Sequence, residues 1–222
     1  MSRYLSLILV VFLLATTLAC NAVTNATAGV TIPDPVVSSQ LATAKGEQIA
    51  VFAGGCFWGV EAVFEHVKGV TEVTSGYTGG AAQTANYEAV SEGDTGHAEA
   101  VRITYDSSQI SYEQLLKIFF SVAHDPTELN RQGPDTGTQY RSAIFYTDEN
   151  QERIARAYIA QLDQAKVFKR PIVTQVVALD SYYKAEAYHQ DYLAHHPNER
   201  YIVINDQPKV ANLRNQFPEL YK

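Results

Sequence analysis

The chain has 222 residues, which is enough for one substantial domain with an N-terminal extension. Hydrophobic residues make up 46% of the chain and charged residues 18%, which is typical of a globular protein and excludes a largely disordered one. The net charge of -7, with no run of basic residues, argues against a nucleic-acid partner, because phosphate binding requires clustered Lys and Arg.

The N-terminus has the pattern of a targeting segment. Arg3 and the apolar run YLSLILVVFLLATTLAC predict a cleaved signal peptide over residues 1–19, because the run is short for a membrane span and ends in small residues. Its end resembles a bacterial lipoprotein signal, in which Cys20 is lipidated and becomes the mature N-terminus. Thr17 and Leu18 depart from that pattern, so ordinary signal cleavage near this point is the alternative. We expect an exported protein of the bacterial periplasm or cell envelope, anchored to the membrane if Cys20 carries lipid.

Residues 20–46 are rich in Ala, Thr, Ser and Pro and predict a flexible tether. Two cysteines in an exported protein would suggest a disulfide. Because Cys20 is expected to be lipidated or lost, Cys56 is predicted to be an unpaired thiol.

The folded part is expected over residues 47–222. EQIAVFAGG predicts a strand that ends in a tight turn, and apolar residues at helical spacing predict a helix over residues 57–67. VTEVTSGY predicts the next strand, and residues 78–96 a long loop. Long loops inside a compact domain are usually functional.

The second half continues the alternation of strands and helices. HAEAVRITYD predicts a strand with Glu99, Val101, Ile103 and Tyr105 on one face, and a capping box at Ser111 begins a second helix. After a polar loop, HDPTELNRQGPDTGTQYRS, the strand AIFYT, a helix from about 148 to 166, the strand IVTQVVAL and a short helix in KAEAYHQDYLAHH are expected. This order predicts a two-layer α+β domain.

Cys56 lies in GGCFWGVE, at the predicted turn from strand to helix. The first turn of a helix lowers the pKa of a thiol, and the preceding glycines permit a sharp turn and close approach of a substrate. A buried structural cysteine is the alternative, but it does not explain the glycine pair. The pattern favours a nucleophile.

A metal site is not expected, because the chain has no CxxC and its six histidines lack ligand spacing. Phe57 and Trp58 either belong to the core or line an apolar pocket beside the sulfur. Glu99 either lies in water at a frayed strand end or is buried, in which case its pKa is raised and it stays protonated near neutral pH.

Five segments are similar, in family order, to the signature of peptide methionine sulfoxide reductase A. They are GGCFWGVE, GYTGG, GHAEAV, GPDTGTQYRS and AEAYHQDYL, and they span residues 54–193. The resemblance implies a mixed sheet with packed helices, of the ferredoxin-like α+β type. It implies reduction of the S epimer of methionine sulfoxide, protein-bound or free, which leaves methionine and a cysteine sulfenic acid, as a repair of oxidative damage.

The resemblance also assigns roles to residues of this chain. Cys56 would attack the sulfoxide sulfur, and Glu99 would protonate the sulfoxide oxygen. Tyr87 and Tyr140 would hydrogen-bond that oxygen. The remaining assignments are that Phe57 and Trp58 cage the S-methyl group and that Asp135 binds a substrate nitrogen.

The departure from many relatives is the C-terminal part, RYIVINDQPKVANLRNQFPELYK, which has no cysteine to resolve the sulfenic acid. Unless Cys20 does so, an external thiol such as thioredoxin or a thioredoxin-like protein would have to reduce Cys56. We expect no cofactor and a monomer that acts on oxidised methionine in proteins or peptides.

Two other functions use the same features. A cysteine hydrolase would need a histidine base, for which His97 and His189 are candidates, but no third orienting residue is identifiable. A non-catalytic peptide-binding module would use the aromatic residues as a recognition surface, but it leaves the unpaired Cys56 unexplained.

Overall fold

A six-stranded mixed sheet forms the centre of the computed structural model, which describes residues 30–37, 41–42 and 45–222. Its strands are β1 (Glu47–Gly54), β2 (Val70–Thr78), β3 (Ala98–Asp106), β6 (Ser142–Tyr146), β7 (Gln175–Ala178) and β8 (Tyr182–Lys184), in the order β7-β6-β1-β3-β2-β8. Only the β6–β7 pair is parallel. A separate ribbon consists of β4 (Arg131–Gln132) and β5 (Asp135–Thr136).

Six α-helices surround the sheet in the described part of the chain. They are α1 (Phe57–Glu65), α2 (Tyr87–Ser91), α3 (Tyr112–Ile118), α4 (Glu149–Gln164), α5 (Tyr192–His195) and α6 (Gln207–Gln216). Turns of π-helix extend α3 through Phe119–Ala123 and precede α6 at Ile202–Asp206. None of these helices has the length and apolar character that a membrane span requires.

The sheet separates two apolar clusters, and β3 contributes to both. Val101 and Ile103 belong to the large core beneath α1 and α3, whereas Ala98 and Ala100 belong to a smaller cluster on the opposite face. This alternation follows from the two-residue period of a strand. Glu99 shares the parity of Val101, so it faces the large core.

The predicted α+β fold, with a mixed sheet and packed helices, is confirmed. The predicted capping box at Ser111 is present, with reciprocal hydrogen bonds to Gln114. The prediction of an uninterrupted loop over residues 78–96 is wrong, because Asn86 accepts a hydrogen bond from Ala89 N and caps the short helix α2. The sequence did not predict α6, whose apolar residues show little helical periodicity.

The predicted signal peptide and Cys20 lie outside the described residues. Within the predicted tether, residues 30–37 contact the domain. Ile32 is buried, Tyr158 Oη donates to Pro33 O over 2.7 Å, and Lys117 Nζ lies 2.6 Å from Asp34 Oδ1. The boundary at residue 46 stays a prediction.

Candidate active site

Cys56 is the N-cap residue of α1, directly after the turn that ends β1. The turn requires a glycine at position 55, because φ is +90° there and a Cβ would lie 2.5 Å from Gln132 Cβ. Gln132 is fixed by hydrogen bonds of its side chain to the backbone N–H and C=O of Asp125. The backbone therefore passes close to the β4–β5 ribbon and presents Cys56 at the start of the helix.

The thiol of Cys56 is buried, and Cys56 is the single cysteine among the described residues. Burial raises its pKa well above the ordinary value, and negative charge on Glu99 and Asp206 acts in the same direction. The backbone N–H of Trp58 and the ammonium of Lys209 oppose this change. The expectation of a lowered thiol pKa is therefore wrong for this state, because loss of solvent outweighs the helix N-terminus.

A cavity of about 190 Å³, the main cavity, opens beside the sulfur. It is lined by Cys56, Phe57, Trp58, Tyr87, Glu99, Asp135, Tyr140 and Tyr201. The structure therefore brings together all seven residues predicted for the site of reaction and adds one that the sequence analysis did not single out.

Glu99 is placed beside Cys56 by the antiparallel pairing of β1 with β3. Phe52 lies opposite Val101, so the end of β1 meets the beginning of β3. The carboxyl group is 3% exposed, and its Oε2 accepts a hydrogen bond from Phe57 N over 3.0 Å. Burial raises the pKa of Glu99 to about 8, so the group is largely protonated at neutral pH. The alternative of a solvated strand end is excluded.

Phe57 and Trp58 form the aromatic wall of the main cavity. The Phe57 ring is buried, and the Trp58 indole stacks on Tyr192 with ring centroids 3.8 Å apart. Trp58 Nε1 donates to His189 Nδ1 over 3.1 Å. These contacts fix the orientation of the indole and leave an apolar surface beside the sulfur.

Tyr87 and Tyr140 reach the cavity from two of the segments predicted as loops. Tyr87 begins α2, and its backbone N donates to Glu186 Oε1 over 2.9 Å. Tyr140 ends a 3-10 turn, Thr138–Tyr140, just before β6. Burial raises the pKa of both hydroxyls, which therefore remain protonated and can donate hydrogen bonds to an oxygen in the cavity.

Asp135 and Tyr201 lie together in the wall of the main cavity, where the Tyr201 hydroxyl donates a hydrogen bond to Asp135 Oδ2. Burial raises the pKa of Asp135. The ring of Tyr201 also meets Trp58 edge-on, with centroids 5.9 Å apart. The sequence analysis missed Tyr201, and the only signal for it is an aromatic residue in an apolar stretch near the C-terminus.

The histidines nominated for a hydrolase do not line the main cavity. His97 Nε2 lies 3.0 Å from Ala81 O, and His189 Nδ1 accepts the indole hydrogen bond of Trp58. Neither histidine hydrogen-bonds the thiol, so neither is placed to act as the base that a cysteine hydrolase needs. The described residues also contain no group of three or more side chains arranged to hold a metal ion.

Comparison with known proteins gives a family match over most of the chain. The model of the family described as peptide methionine sulfoxide reductase matches residues 48–221. A relative in Mesorhizobium japonicum, named peptide methionine sulfoxide reductase MsrA 2, is 59% identical over 178 residues, which are 80% of this chain and 91% of the relative. A protein of the same name in Synechocystis is 52% identical over 193 residues, 86% of this chain and 90% of its own.

Solved structures of similar proteins share the fold. The reduced form of Mxr1 from Saccharomyces cerevisiae has a TM-score of 0.64 and 31% identity, and the match covers 72% of this chain and 91% of Mxr1. Methionine sulfoxide reductase A of Corynebacterium diphtheriae has a TM-score of 0.60 and 34% identity, with 76% of this chain and 84% of that protein covered.

Proposed function

This chain belongs to the peptide methionine sulfoxide reductase family, as an oxidoreductase that reduces methionine sulfoxide, and we propose that Cys56 is the nucleophile and the main cavity its substrate site. One observation carries the proposal. The buried thiol, a buried carboxyl group, two tyrosine hydroxyls and an aromatic wall line the same cavity. Reduction of a sulfoxide needs a soft nucleophile, a proton donor at the oxygen and an apolar site for the methyl group.

The reaction transfers one oxygen from the substrate to the enzyme. Cys56 Sγ attacks the sulfoxide sulfur and forms an Sγ–S bond with it, while Glu99 donates a proton to the sulfoxide oxygen and takes up the proton of the thiol. The hydroxyl then moves from the substrate sulfur to Sγ: the S–O bond of the substrate and the Sγ–S bond break, and an S–O bond to Cys56 forms. Methionine leaves with its sulfur reduced by two electrons, and Cys56 becomes a sulfenic acid, oxidised by two electrons.

Glu99 suits the role of general acid because it is protonated at neutral pH. A general acid is most effective when its pKa lies near the working pH, and burial holds the pKa of Glu99 at about 8. The hydrogen bond from Phe57 N engages Oε2 and leaves the other oxygen for the proton. Tyr87 and Tyr140 supply two further donors for the same sulfoxide oxygen, whose charge grows as the sulfur is attacked.

Phe57 and Trp58 would enclose the S-methyl group, because both side chains are apolar rings that line the main cavity together with Cys56. Asp135 would accept a hydrogen bond from a substrate nitrogen through the carboxylate oxygen that Tyr201 leaves free. Fixed walls on two sides of an asymmetric sulfoxide support discrimination between its epimers, because the methyl group and the oxygen cannot exchange places; the family resemblance implies that the S epimer is the one reduced.

Recycling of Cys56 would use an external dithiol, such as thioredoxin or a thioredoxin-like protein. The proposal rests on the absence of a second cysteine from the described residues. No cofactor is needed, because the thiol supplies both electrons. We further propose a monomer that is exported to the cell envelope through the segment 1–19, with Cys20 as the lipid-bearing residue. Mass analysis of the N-terminal peptide from membrane fractions tests this last point.

The test of the proposed function is a single turnover without reductant. The full chain, in detergent, is mixed with excess S-methionine sulfoxide peptide, and the intact mass and the methionine formed are measured. We expect one added oxygen, mapped to Cys56, and one methionine per chain. Cys56→Ser should give neither product.

An unchanged mass with no methionine would overturn the assignment. A loss of two hydrogens would show that Cys20 resolves Cys56, which would overturn the need for an external thiol in recycling but leave the chemistry of reduction intact.

A further inference from the structure

Cys56 also lines a second cavity, the side cavity, of about 160 Å³. It is lined by Cys56, Gln132, Gly133, Pro134, Asp135, Tyr201, Ile204, Asn205, Pro208 and Lys209. Three of these residues, Cys56, Asp135 and Tyr201, also line the main cavity. The two cavities therefore share Cys56 and the hydrogen-bonded pair of Tyr201 and Asp135.

The lining of the side cavity includes an apolar rim. Ile204 is 53% exposed and Pro134 is also exposed, and Pro208 completes the rim. Ile204 and Pro134 come from different segments, the π-helical turn before α6 and the connection between β4 and β5. Lys209, held by Asp206 at 3.1 Å, is the one cationic residue in the lining.

Substitution at a divalent sulfur proceeds in line, so the incoming thiol approaches opposite the bond that breaks. In the sulfenic acid of Cys56, the oxygen came from the substrate and lies on the side of Glu99, Tyr87 and Tyr140, which hydrogen-bond it. Glu99, Tyr87 and Tyr140 line the main cavity and not the side cavity, so a thiol that approaches Cys56 through the side cavity does not pass these donors. A thiol that entered through the main cavity would meet the oxygen before the sulfur.

From this arrangement we infer that the side cavity admits the thiol of a protein dithiol of the thioredoxin type, which docks on the apolar rim of Ile204, Pro134 and Pro208. The inference rests on the proposed function, in which Cys56 becomes a sulfenic acid that an external thiol reduces. In this arrangement the substrate and the reductant reach the same sulfur through different cavities.

The recycling step balances as follows. The attacking thiol forms a disulfide with Cys56, and the S–O bond breaks. The oxygen leaves as water, with the hydrogen of the sulfenic acid and the hydrogen of the thiol. The second thiol of the reductant then attacks its own partner sulfur, which releases the Cys56 thiol and leaves the reductant as a disulfide. The two thiols supply the two electrons.

The test uses the variants Ile204→Glu and Pro134→Glu of the full chain, because both positions are exposed and a new charge there disfavours an apolar contact. Val177→Glu, at an exposed apolar residue on β7, is the matched control. Three rates are measured: the first turnover of S-methionine sulfoxide peptide, the steady state with thioredoxin, thioredoxin reductase and NADPH, and the steady state with dithiothreitol. We expect both variants to lower kcat/KM for thioredoxin at least tenfold, with the other two rates within twofold of wild type.

Unchanged thioredoxin kinetics in both variants would overturn the inference. So would a raised KM for the peptide with unchanged thioredoxin kinetics, since the side cavity would then hold the polypeptide around the oxidised methionine. If the wild type forms no methionine in its first turnover, both the proposed function and the inference fail. A variant with a normal first turnover and a slow steady state with thioredoxin has a defect in recycling alone, so the two outcomes are distinguishable.

Discussion

Glu99→Gln tests whether a protonated carboxyl group drives the reaction. The substituted amide keeps the size of the side chain and an oxygen that accepts the Phe57 N–H bond, but it cannot give a proton to the sulfoxide. A positioned general acid contributes about 10²- to 10⁴-fold to a rate. We expect the first-turnover rate at pH 7 to fall by that order.

The pH dependence follows from the pKa of Glu99, which burial raises from 4.5 to about 8. With that pKa, about nine-tenths of the molecules carry the proton at pH 7 and about one-tenth at pH 9. Charge on Glu99 raises the pKa of the Cys56 thiol in the wild type alone, so the thiol reinforces the fall in the ratio of the wild-type rate to the variant rate. We expect this ratio to be flat below pH 7 and to fall at least about tenfold between pH 7 and pH 9.

The assay is rapid-quench measurement of methionine formed in one turnover, from pH 6 to 9.5. Glu61→Gln is the matched control, because Glu61 is also a buried carboxyl whose pKa is raised, to about 7, yet it lines neither cavity and accepts hydrogen bonds from Ser75 N and Asp191 N. Its rate ratio should stay near one across the range. A Glu99→Gln rate within fivefold of wild type, with a ratio independent of pH, would refute the reasoning.

Three further outcomes are expected. First, Glu99→Gln should stabilise the fold relative to wild type increasingly as pH rises from 4.5 to 8, by about 2.5 kcal/mol between pH 5 and pH 7, because the unfolded carboxyl ionises while the folded one does not. Equal differences in the free energy of unfolding by urea at both pH values would contradict the buried neutral state. Second, Gly55→Ala should lower the free energy of unfolding by about 1–3 kcal/mol or more, because of the positive φ and the contact with Gln132. Gly133→Ala, at φ +56° with open space around it, should lower it by less. Calorimetry compares the two variants, and equal losses of stability would argue against the contact. Third, Trp58→Ala should lower kcat/KM for the peptide roughly 10- to 30-fold by removing one wall of the methyl site, which corresponds to about 1–2 kcal/mol; an unchanged kcat/KM would exclude the wall from substrate binding.

The parts of the site that sequence could predict are those that follow local periodicity. The alternation of β3 places Glu99 on the same face as Val101, and the glycine pair before Cys56 marks the turn into α1. Both features depend only on residues close together in the chain. For the same reason, the α+β order of elements could be predicted from patterns of strands and helices.

The remaining features depend on contacts between distant segments. Tyr201 reaches Asp135 across 66 positions of sequence, and no local pattern marks it. The raised pKa of the Cys56 thiol depends on how completely the surrounding segments exclude water, which a helix start alone does not determine. The functional roles assigned to the cavity residues stay predictions until the variants above are measured.

If Cys20 carries lipid, as proposed, the contact of residues 30–37 with the domain limits the distance of the enzyme from the membrane. Val30 N donates to Ser121 O over 3.0 Å, so the chain is attached to the domain from residue 30, ten positions after Cys20. Ten residues span at most about 35 Å, whereas a tether free to residue 46 would span about 90 Å. If Cys20 carries lipid, the domain is confined to a thin layer above the bilayer, and it repairs proteins that reside in or pass through that layer.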